Sequence, residues 1–136
     1  MREEVRELVR PSRLAAGARV AVVATSGPVP EERVQAGLDV LRGWDLDPVV
    51  APHVLDRHGE FGYLAGSDAD RAADLQAAWC DPSVDAVLCA RGGYGVQRMV
   101  DLLDWDALRA AGPTVFVGFS DTTGLHEAFA TRLGLA

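Results

Sequence analysis

The chain has 136 residues, a formal net charge of −7 and an apolar content of 49%, which is typical of one globular domain with a buried core. No basic patch stands out, so we expect neither a nucleic-acid nor a membrane partner. The N-terminus has no apolar signal core, which predicts a cytoplasmic location. We expect no cofactor and no metal, and the separated Cys80 and Cys89 form no metal-ligand cluster.

The first half of the chain begins with a predicted N-terminal extension over residues 1–18, in which 3–9 could form a short helical turn. A continuous apolar run over 19–25 then predicts a strand covered on both faces. A helix is predicted over 31–43, because a proline and two acidic residues open it and apolar residues follow at i, i+4 and i+7. A short strand is predicted over 47–51.

The second half repeats this alternation after a loop over 52–66. The predicted elements are a helix over 68–80 with Ser67 as its N-cap, strands over 84–90 and 114–118, helical segments over 96–103 and 105–110, and a helix from Asp121 onward. We therefore expect an α/β domain over 19–136, a three-layer sandwich with a mainly parallel sheet flanked by helices on both faces. Ligand sites in such folds lie beyond the carboxyl ends of the strands.

The first candidate site is the run Gly118-Phe119-Ser120-Asp121-Thr122-Thr123, between the last strand and the last helix. A serine on such a strand-to-helix turn is exposed above the sheet and can act as a nucleophile. The match to the Gly-x-Ser-x-Gly elbow is incomplete, because Thr122 replaces the final glycine. Ser120 could instead be a helix N-cap, a role that serine often has.

The second candidate is the glycine-rich loop Arg91-Gly92-Gly93-Tyr94-Gly95, which follows the preceding strand. Consecutive glycines let backbone N–H groups approach a phosphate or an oxyanion closely. The loop matches no nucleotide-binding fingerprint, so nucleotide binding is a minor alternative, and a plain turn is another. Both candidate loops are expected at the same edge of the sheet.

These two motifs resemble those of the LD-carboxypeptidase family of serine peptidases, the group that includes the microcin C self-immunity peptidases. The resemblance covers nearly the whole chain from residue 10 and follows the family's order. Its matching stretches are Arg10-Pro11 with Leu14, Ser26-Gly27-Pro28, 66–75, 90–95 and 118–126.

The resemblance implies that Ser120 is the nucleophile, and that the N–H groups of Asp121 and of Gly92 or Gly93 form the oxyanion hole. It implies hydrolysis of the amide before a C-terminal D-amino acid, as in the recycling of murein tetrapeptides in the cytoplasm. An antibiotic-peptide substrate stays open. Family members are about twice as long, and their catalytic Glu and His lie in a C-terminal domain that we expect to be missing here.

Three histidines in the chain could replace that missing base. His126 lies six residues after Ser120, roughly 8–9 Å along a helix, which is too far for proton transfer. His53 and His58 are read as solvated loop residues, although spacing does not exclude them. We therefore expect negligible activity from this chain alone. The alternative is a non-catalytic split or truncated copy that acts as a binding or oligomerisation module. Its exposed apolar patch would face the missing domain, a second polypeptide or, in a homodimer, a second copy of the chain.

Overall fold

A computed structural model describes residues 7–136 of the chain. Its centre is a parallel sheet of four strands, in the spatial order β2-β1-β3-β4. The strands are β1 (Arg19–Val23), β2 (Asp47–Val50), β3 (Ala86–Cys89) and β4 (Val115–Val117). The predicted α/β class and parallel sheet are confirmed, and each strand is one to three residues shorter than the apolar run that predicted it.

Five α-helices connect or follow the strands. They are α1 (Glu31–Gly43), α2 (Asp68–Cys80), α3 (Val96–Met99), α4 (Trp105–Ala111) and α5 (Thr123–Ala128). Short 3₁₀ segments lie at Val100–Leu102 and Ser120–Thr122, and a π-helical turn at Phe129–Leu133 ends the last helix. The predicted bounds of α1 and α2 are confirmed, and Ser67 caps α2 by accepting a hydrogen bond from the N–H of Asp70 at 3.1 Å.

Side chains of a strand alternate between the two faces of the sheet, so an apolar strand presents apolar side chains on both faces. Helices cover both. On one face, Val20 and Val22 of β1 pack with Leu38 and Leu41 of α1. On the other face, a larger apolar cluster joins the sheet to helices α2 to α5; its members include Ala21, Val23, Val87, Leu75, Trp79, Leu108 and Leu125. The continuous apolar run of β1 is therefore explained by burial on both sides, as predicted.

The N-terminal extension contacts the other end of the chain. Val9 donates its N–H to the carbonyl of Gly134 at 2.8 Å and accepts from the N–H of Ala136 at 2.9 Å. These bonds form an isolated parallel β-bridge between Val9 and Leu135. The helical turn considered for 3–9 is therefore wrong at Val9, because a tertiary partner holds that backbone extended, and residues 3–6 lie outside the described part of the chain. Within 7–136, no helix combines the length and the apolarity that crossing a membrane requires.

Candidate active site

Ser120 lies where the chain turns sharply from β4 towards α5. Its backbone has φ +60°, a left-handed conformation that serine rarely adopts. The turn is closed by Thr122, whose N–H and hydroxyl both donate to the carbonyl of Phe119, at 3.3 and 3.0 Å. Among residues 7–136 we find no capping hydrogen bond from the Ser120 hydroxyl at this helix start. The N-cap alternative therefore has no support in the geometry, and the exposed hydroxyl is available for chemistry.

The glycine-rich loop packs directly against this turn. A Cβ atom on Gly92 would lie 3.0 Å from Ser120 Cβ, 3.4 Å from Ser120 Oγ and 3.2 Å from the carbonyl oxygen of Phe119. Side-chain atoms rarely approach so closely, so only glycine fits here without a shift of the turn. The structure thus brings the two sequence motifs into contact, at the edge of the sheet where they were expected.

The backbone N–H groups expected as oxyanion donors belong to the turn at Ser120 and to the glycine-rich loop beside it. Within the described part of the chain, the N–H groups of Gly92, Gly93 and Asp121 have no hydrogen-bond acceptor. Gly93 has φ +121° and packs against Gly27, where an added Cβ would lie 3.2 Å from the Gly27 nitrogen. An oxyanion hole requires N–H groups that are free to bind the developing negative charge, and these three stay candidates for that role.

The side chain of Asp121 ties three loops together beside Ser120. One carboxylate oxygen, Oδ2, accepts a hydrogen bond from Ser26 Oγ at 2.6 Å and one from the N–H of Val96 at 3.1 Å. Ser26 follows β1 and is fully buried, whereas Val96 begins α3 directly after the glycine-rich loop. Asp121 therefore fixes the position of that loop relative to the serine turn.

A buried arginine hydrogen-bonds to the end of the glycine-rich loop. Arg71 of α2 is fully buried, and its Nη1 donates to the carbonyl oxygens of Thr25 and Gly95, each at 2.8 Å. Its Nη2 is paired with Asp68. Burial lowers the pKa of Arg71 below its ordinary value, while Asp68 opposes that change. Gly95 has φ +139° and an added Cβ would lie 2.7 Å from Arg71 Nη1, so a side chain at position 95 would strain the backbone and displace the guanidinium.

All three histidines have hydrogen-bond partners other than Ser120. His53 Nδ1 lies 2.8 Å from Asp74 Oδ1, and this hydrogen bond raises the pKa of His53 above 6.5. His58 Nδ1 accepts from the N–H groups of Glu60 and Phe61. His126 Nδ1 lies 3.2 Å from the carbonyl of Thr122. Within 7–136, no histidine hydrogen-bonds to the serine hydroxyl.

The nearby Cys89 is no competing nucleophile. It ends β3 and is 7% exposed. Burial raises the pKa of its thiol to about 12, although a hydrogen bond from Thr25 opposes the rise. A thiol must be deprotonated to attack, so Cys89 is inert at neutral pH.

An open groove of about 650 Å³ runs between α1 and the carboxyl end of β3. Val34 and Leu38 of α1 line one wall, Leu88 and Arg91 the other, and Phe119 stands at its end. Phe119 precedes Ser120 and is 73% exposed. The exposed apolar patch expected on the face towards the missing domain stays a prediction.

Several residues of the site were missed at the sequence level. All three residues lie in stretches that match the family, but the sequence did not predict that their side chains hold the loops together: the carboxylate of Asp121, the hydroxyl of Ser26 and the guanidinium of Arg71. Only Arg71 leaves a signal, because it shares the buried stripe of α2 with Leu75 and Ala78 at spacings of four and seven residues. A charge on an apolar stripe indicates a buried partner.

Comparison with known proteins points to one family. Residues 20–136 match the family described as the LD-carboxypeptidase N-terminal domain. A Streptomyces coelicolor protein named "Putative carboxypeptidase" is 88% identical over 96% of this chain and 42% of its own length. The murein tetrapeptide carboxypeptidase of Pseudomonas aeruginosa is 38% identical over 82% of this chain and 35% of its own length.

The fold comparison agrees with these sequence matches. The crystal structure of an MccF-like protein from Bacillus anthracis superposes with a TM-score of 0.85 and 29% identity, over 93% of this chain and 38% of that one. The chain thus spans about two fifths of the length of such relatives. Its family match, its sheet and its serine turn lead to one conclusion: the chain belongs to the LD-carboxypeptidase family and corresponds to the N-terminal portion of its members.

Proposed function

We propose that this chain is the nucleophile domain of a serine LD-carboxypeptidase, which hydrolyses the amide bond before a C-terminal D-amino acid. Ser120 is the nucleophile in this proposal, and the N–H groups of Asp121 and of Gly92 or Gly93 form the oxyanion hole. The observation that carries it is the strained, exposed Ser120 in contact with Gly92. Strain of this kind persists where the surrounding structure holds it for function.

The proposed reaction is an acyl transfer in two steps. Ser120 Oγ attacks the carbonyl carbon and gives its proton to a base, and the resulting oxyanion accepts hydrogen bonds from the free N–H groups. The C–N bond then breaks, the protonated D-amino acid leaves, and water hydrolyses the acyl-enzyme. The side chains of Asp121 and Arg71 act as positioning groups in this proposal, because they hold the loops that carry the donors.

The base in this reaction must come from outside the described residues, because the three histidines of the chain have other hydrogen-bond partners. The family resemblance assigns base and orienting acid to a His and a Glu in a C-terminal domain. Without them, an oxyanion hole and binding retain only about 10³–10⁴-fold catalysis over water in model proteases. We therefore propose that the 136-residue chain is nearly inactive alone.

The substrate class follows from named relatives. Murein peptide carboxypeptidases of Pseudomonas aeruginosa and Bacillus subtilis are 38% and 36% identical to the chain. We propose a murein tetrapeptide as the substrate and the cytoplasm as the location. The microcin C7 self-immunity protein of Escherichia coli is more distant, at 29% identity over 54% of the chain. An antibiotic-peptide substrate is therefore the second choice.

The test restores what the chain is proposed to need. The remaining C-terminal part of the Streptomyces coelicolor relative is fused after Ala136, and D-alanine release from an L,D-tetrapeptide is measured. We expect turnover from the fusion, no turnover from the fusion carrying Ser120→Ala, and almost none from the chain alone. Turnover that survives Ser120→Ala would refute Ser120 as the nucleophile.

A non-catalytic module is the alternative function. The exposed Phe119 and the groove beside it favour a surface that binds another polypeptide or a second copy of the chain. A folded but inactive fusion would favour this alternative. Sedimentation of the chain alone and of Phe119→Ser would then show whether that surface forms a homodimer.

A further inference from the structure

A second cluster of functional side chains lies apart from the serine turn, where the long loop after β2 meets the start of α2. One ligand atom from each of His53, Asp56 and Asp70 lies within 4.8 Å of the other two. All three residues are half-buried, and they belong to two different elements. Only the fold brings them together, since 14 to 17 residues separate the loop positions from Asp70 in the sequence.

The imidazole of His53 is oriented by a fourth residue. The buried Asp74 receives the backbone N–H of His53 on Oδ2 at 2.9 Å and holds His53 Nδ1 on Oδ1 at 2.8 Å. With its proton on Nδ1, a neutral imidazole has its free electron pair on Nε2. Nε2 lies 3.8 Å from Asp70 Oδ1, so the free nitrogen is on the side of the other two ligands.

A carboxylate behind a histidine is a recurrent feature of metal sites. The carboxylate fixes the tautomer and the ring orientation and makes the ligand nitrogen more basic. In this cluster, Asp74 is the carboxylate behind the histidine. The nitrogen of His53 and the carboxylate oxygens of Asp56 and Asp70 suit Zn²⁺ and similar divalent transition metals. Small side-chain rotations would bring atoms that are up to 4.8 Å apart onto one ion with bonds near 2.0–2.2 Å.

Charge also favours a cation at this position. Three carboxylates, those of Asp56, Asp70 and Asp74, surround a single imidazole. The nearest buried cation in α2, Arg71, is occupied by Asp68 and by two backbone carbonyls. The positive end of α2 opposes a cation there, but three full negative charges outweigh the half charge of a helix end.

We propose that His53, Asp56 and Asp70 form a divalent transition-metal site of the zinc class, with Asp74 as the residue that orients His53. The sequence predicted no metal site, because the spacing of these residues matches no ligand motif. A bound ion would join the loop to α2 at the same edge of the sheet as the serine turn. This proposal does not depend on the proposed peptidase reaction.

The test is a titration of the tag-free chain with Co²⁺ and with Zn²⁺ at pH 8. The d–d absorption of Co²⁺ reports its ligands, and calorimetry with Zn²⁺ gives the stoichiometry and the dissociation constant. We expect one ion per chain. His53→Ala and Asp56→Asn should each weaken binding at least tenfold, and Asp56→Asn is a conservative change that keeps the shape of the side chain.

His58→Ala is the matched control, since this histidine lies in the same loop and is turned towards the backbone of Glu60 and Phe61. Its binding should equal that of the unchanged chain, and circular dichroism checks the folding of each variant. Binding that is unchanged by Asp56→Asn and by His53→Ala would overturn the proposal. An absence of Co²⁺ and Zn²⁺ binding below millimolar concentrations would overturn it as well.

Discussion

The sheet has a carboxyl edge, where its parallel strands end, and an amino edge, where they begin. The two edges differ in how closely other atoms pack around their glycines. At the carboxyl edge, Cβ atoms built on Gly92, Gly93 or Gly95 would lie within 3.3 Å of other atoms. At the amino edge, Gly17, Gly43 and Gly112 have no atom within 4 Å of such a position. The first set of glycines is therefore required by close packing, and the second set only by local backbone shape or by nothing.

Buried polar groups show the same difference. Among residues 7–136, five polar or charged residues are buried, and each follows the carboxyl end of a strand or lies in the first two turns of α2: Thr25, Ser26, Arg71, Asp74 and Thr122. At the amino edge, Arg19 pairs with Asp47 at 3.1 Å while both remain about half exposed. Burying polar groups costs free energy unless each one is paired. The carboxyl edge should therefore be far more sensitive to substitution, and four experiments test this comparison.

The largest expected effect is that of Arg71→Met. This change leaves the carbonyls of Thr25 and Gly95 without their donor and Asp68 without its buried partner. We expect a loss of about 3–5 kcal/mol in the free energy of unfolding, measured by urea denaturation. Arg19→Met is the control at the amino edge, where an exposed pair should contribute about 1 kcal/mol or less. Equal losses of unfolding free energy in Arg71→Met and Arg19→Met would contradict the expected difference between the two edges.

Gly92→Ala should have the next largest effect. The added methyl group would lie 3.0 Å from Ser120 Cβ, so the serine turn or the glycine-rich loop must move. We expect a cost of about 1–3 kcal/mol, as for overpacked cores, measured in the same denaturation assay. Gly43→Ala in α1 meets no atom within 4 Å and should be neutral or slightly stabilising. A neutral Gly92→Ala would show that the two loops are not in firm contact.

Ser120→Gly should raise stability. Serine at φ +60° is strained and glycine is not, so we expect a gain of about 1 kcal/mol in the free energy of unfolding. Asp45, in the turn before β2, is the other non-glycine residue with positive φ among 7–136. Because aspartate tolerates this conformation better, Asp45→Gly should gain less. A destabilised Ser120→Gly would mean that the serine side chain stabilises the turn, against its proposed catalytic role.

The smallest effect concerns acid stability. Hydrogen bonding to Arg98 lowers the pKa of Asp68 below 3.8, and hydrogen bonds from Ser83 lower that of Asp81. A carboxyl group whose pKa is lowered by folding stabilises the protein above its unfolded pKa, and this contribution is lost as the pH falls through the folded pKa. Stability should therefore decrease below about pH 4.

Denaturation curves between pH 5 and pH 2 measure this decrease for the chain and for Asp68→Asn and Asp81→Asn. Each substitution removes one titrating group, so the slope of stability against pH should become shallower in both variants. If the carboxyl edge dominates, Asp68→Asn has the larger effect, because Asp68 is also paired with the buried Arg71. A larger effect of Asp81→Asn would reverse the order of the two edges.

The sequence by itself determined the element order, the bounds of α1 and α2, and the parallel α/β class. These follow from local signals: apolar periodicity, the cap at Ser67, and turn residues. It also pointed to the serine turn and the glycine-rich loop as one site, since successive parallel strands end at one edge. The strands were predicted too long, because a run of apolar residues continues beyond the last residue that hydrogen-bonds to a neighbouring strand.

Only the tertiary structure decided which residues meet at the carboxyl edge. The contact of Gly92 with Ser120, the bonds of Asp121 to Ser26 and Val96, and the approach of His53 to Asp70 join residues from different loops. A single chain carries no pattern for such contacts, because helix packing and strand order fix those distances and local spacing does not. The left-handed backbone of Ser120 has the same origin: the packed Gly92 and the Thr122 bonds to Phe119 hold it, and serine alone would not adopt it.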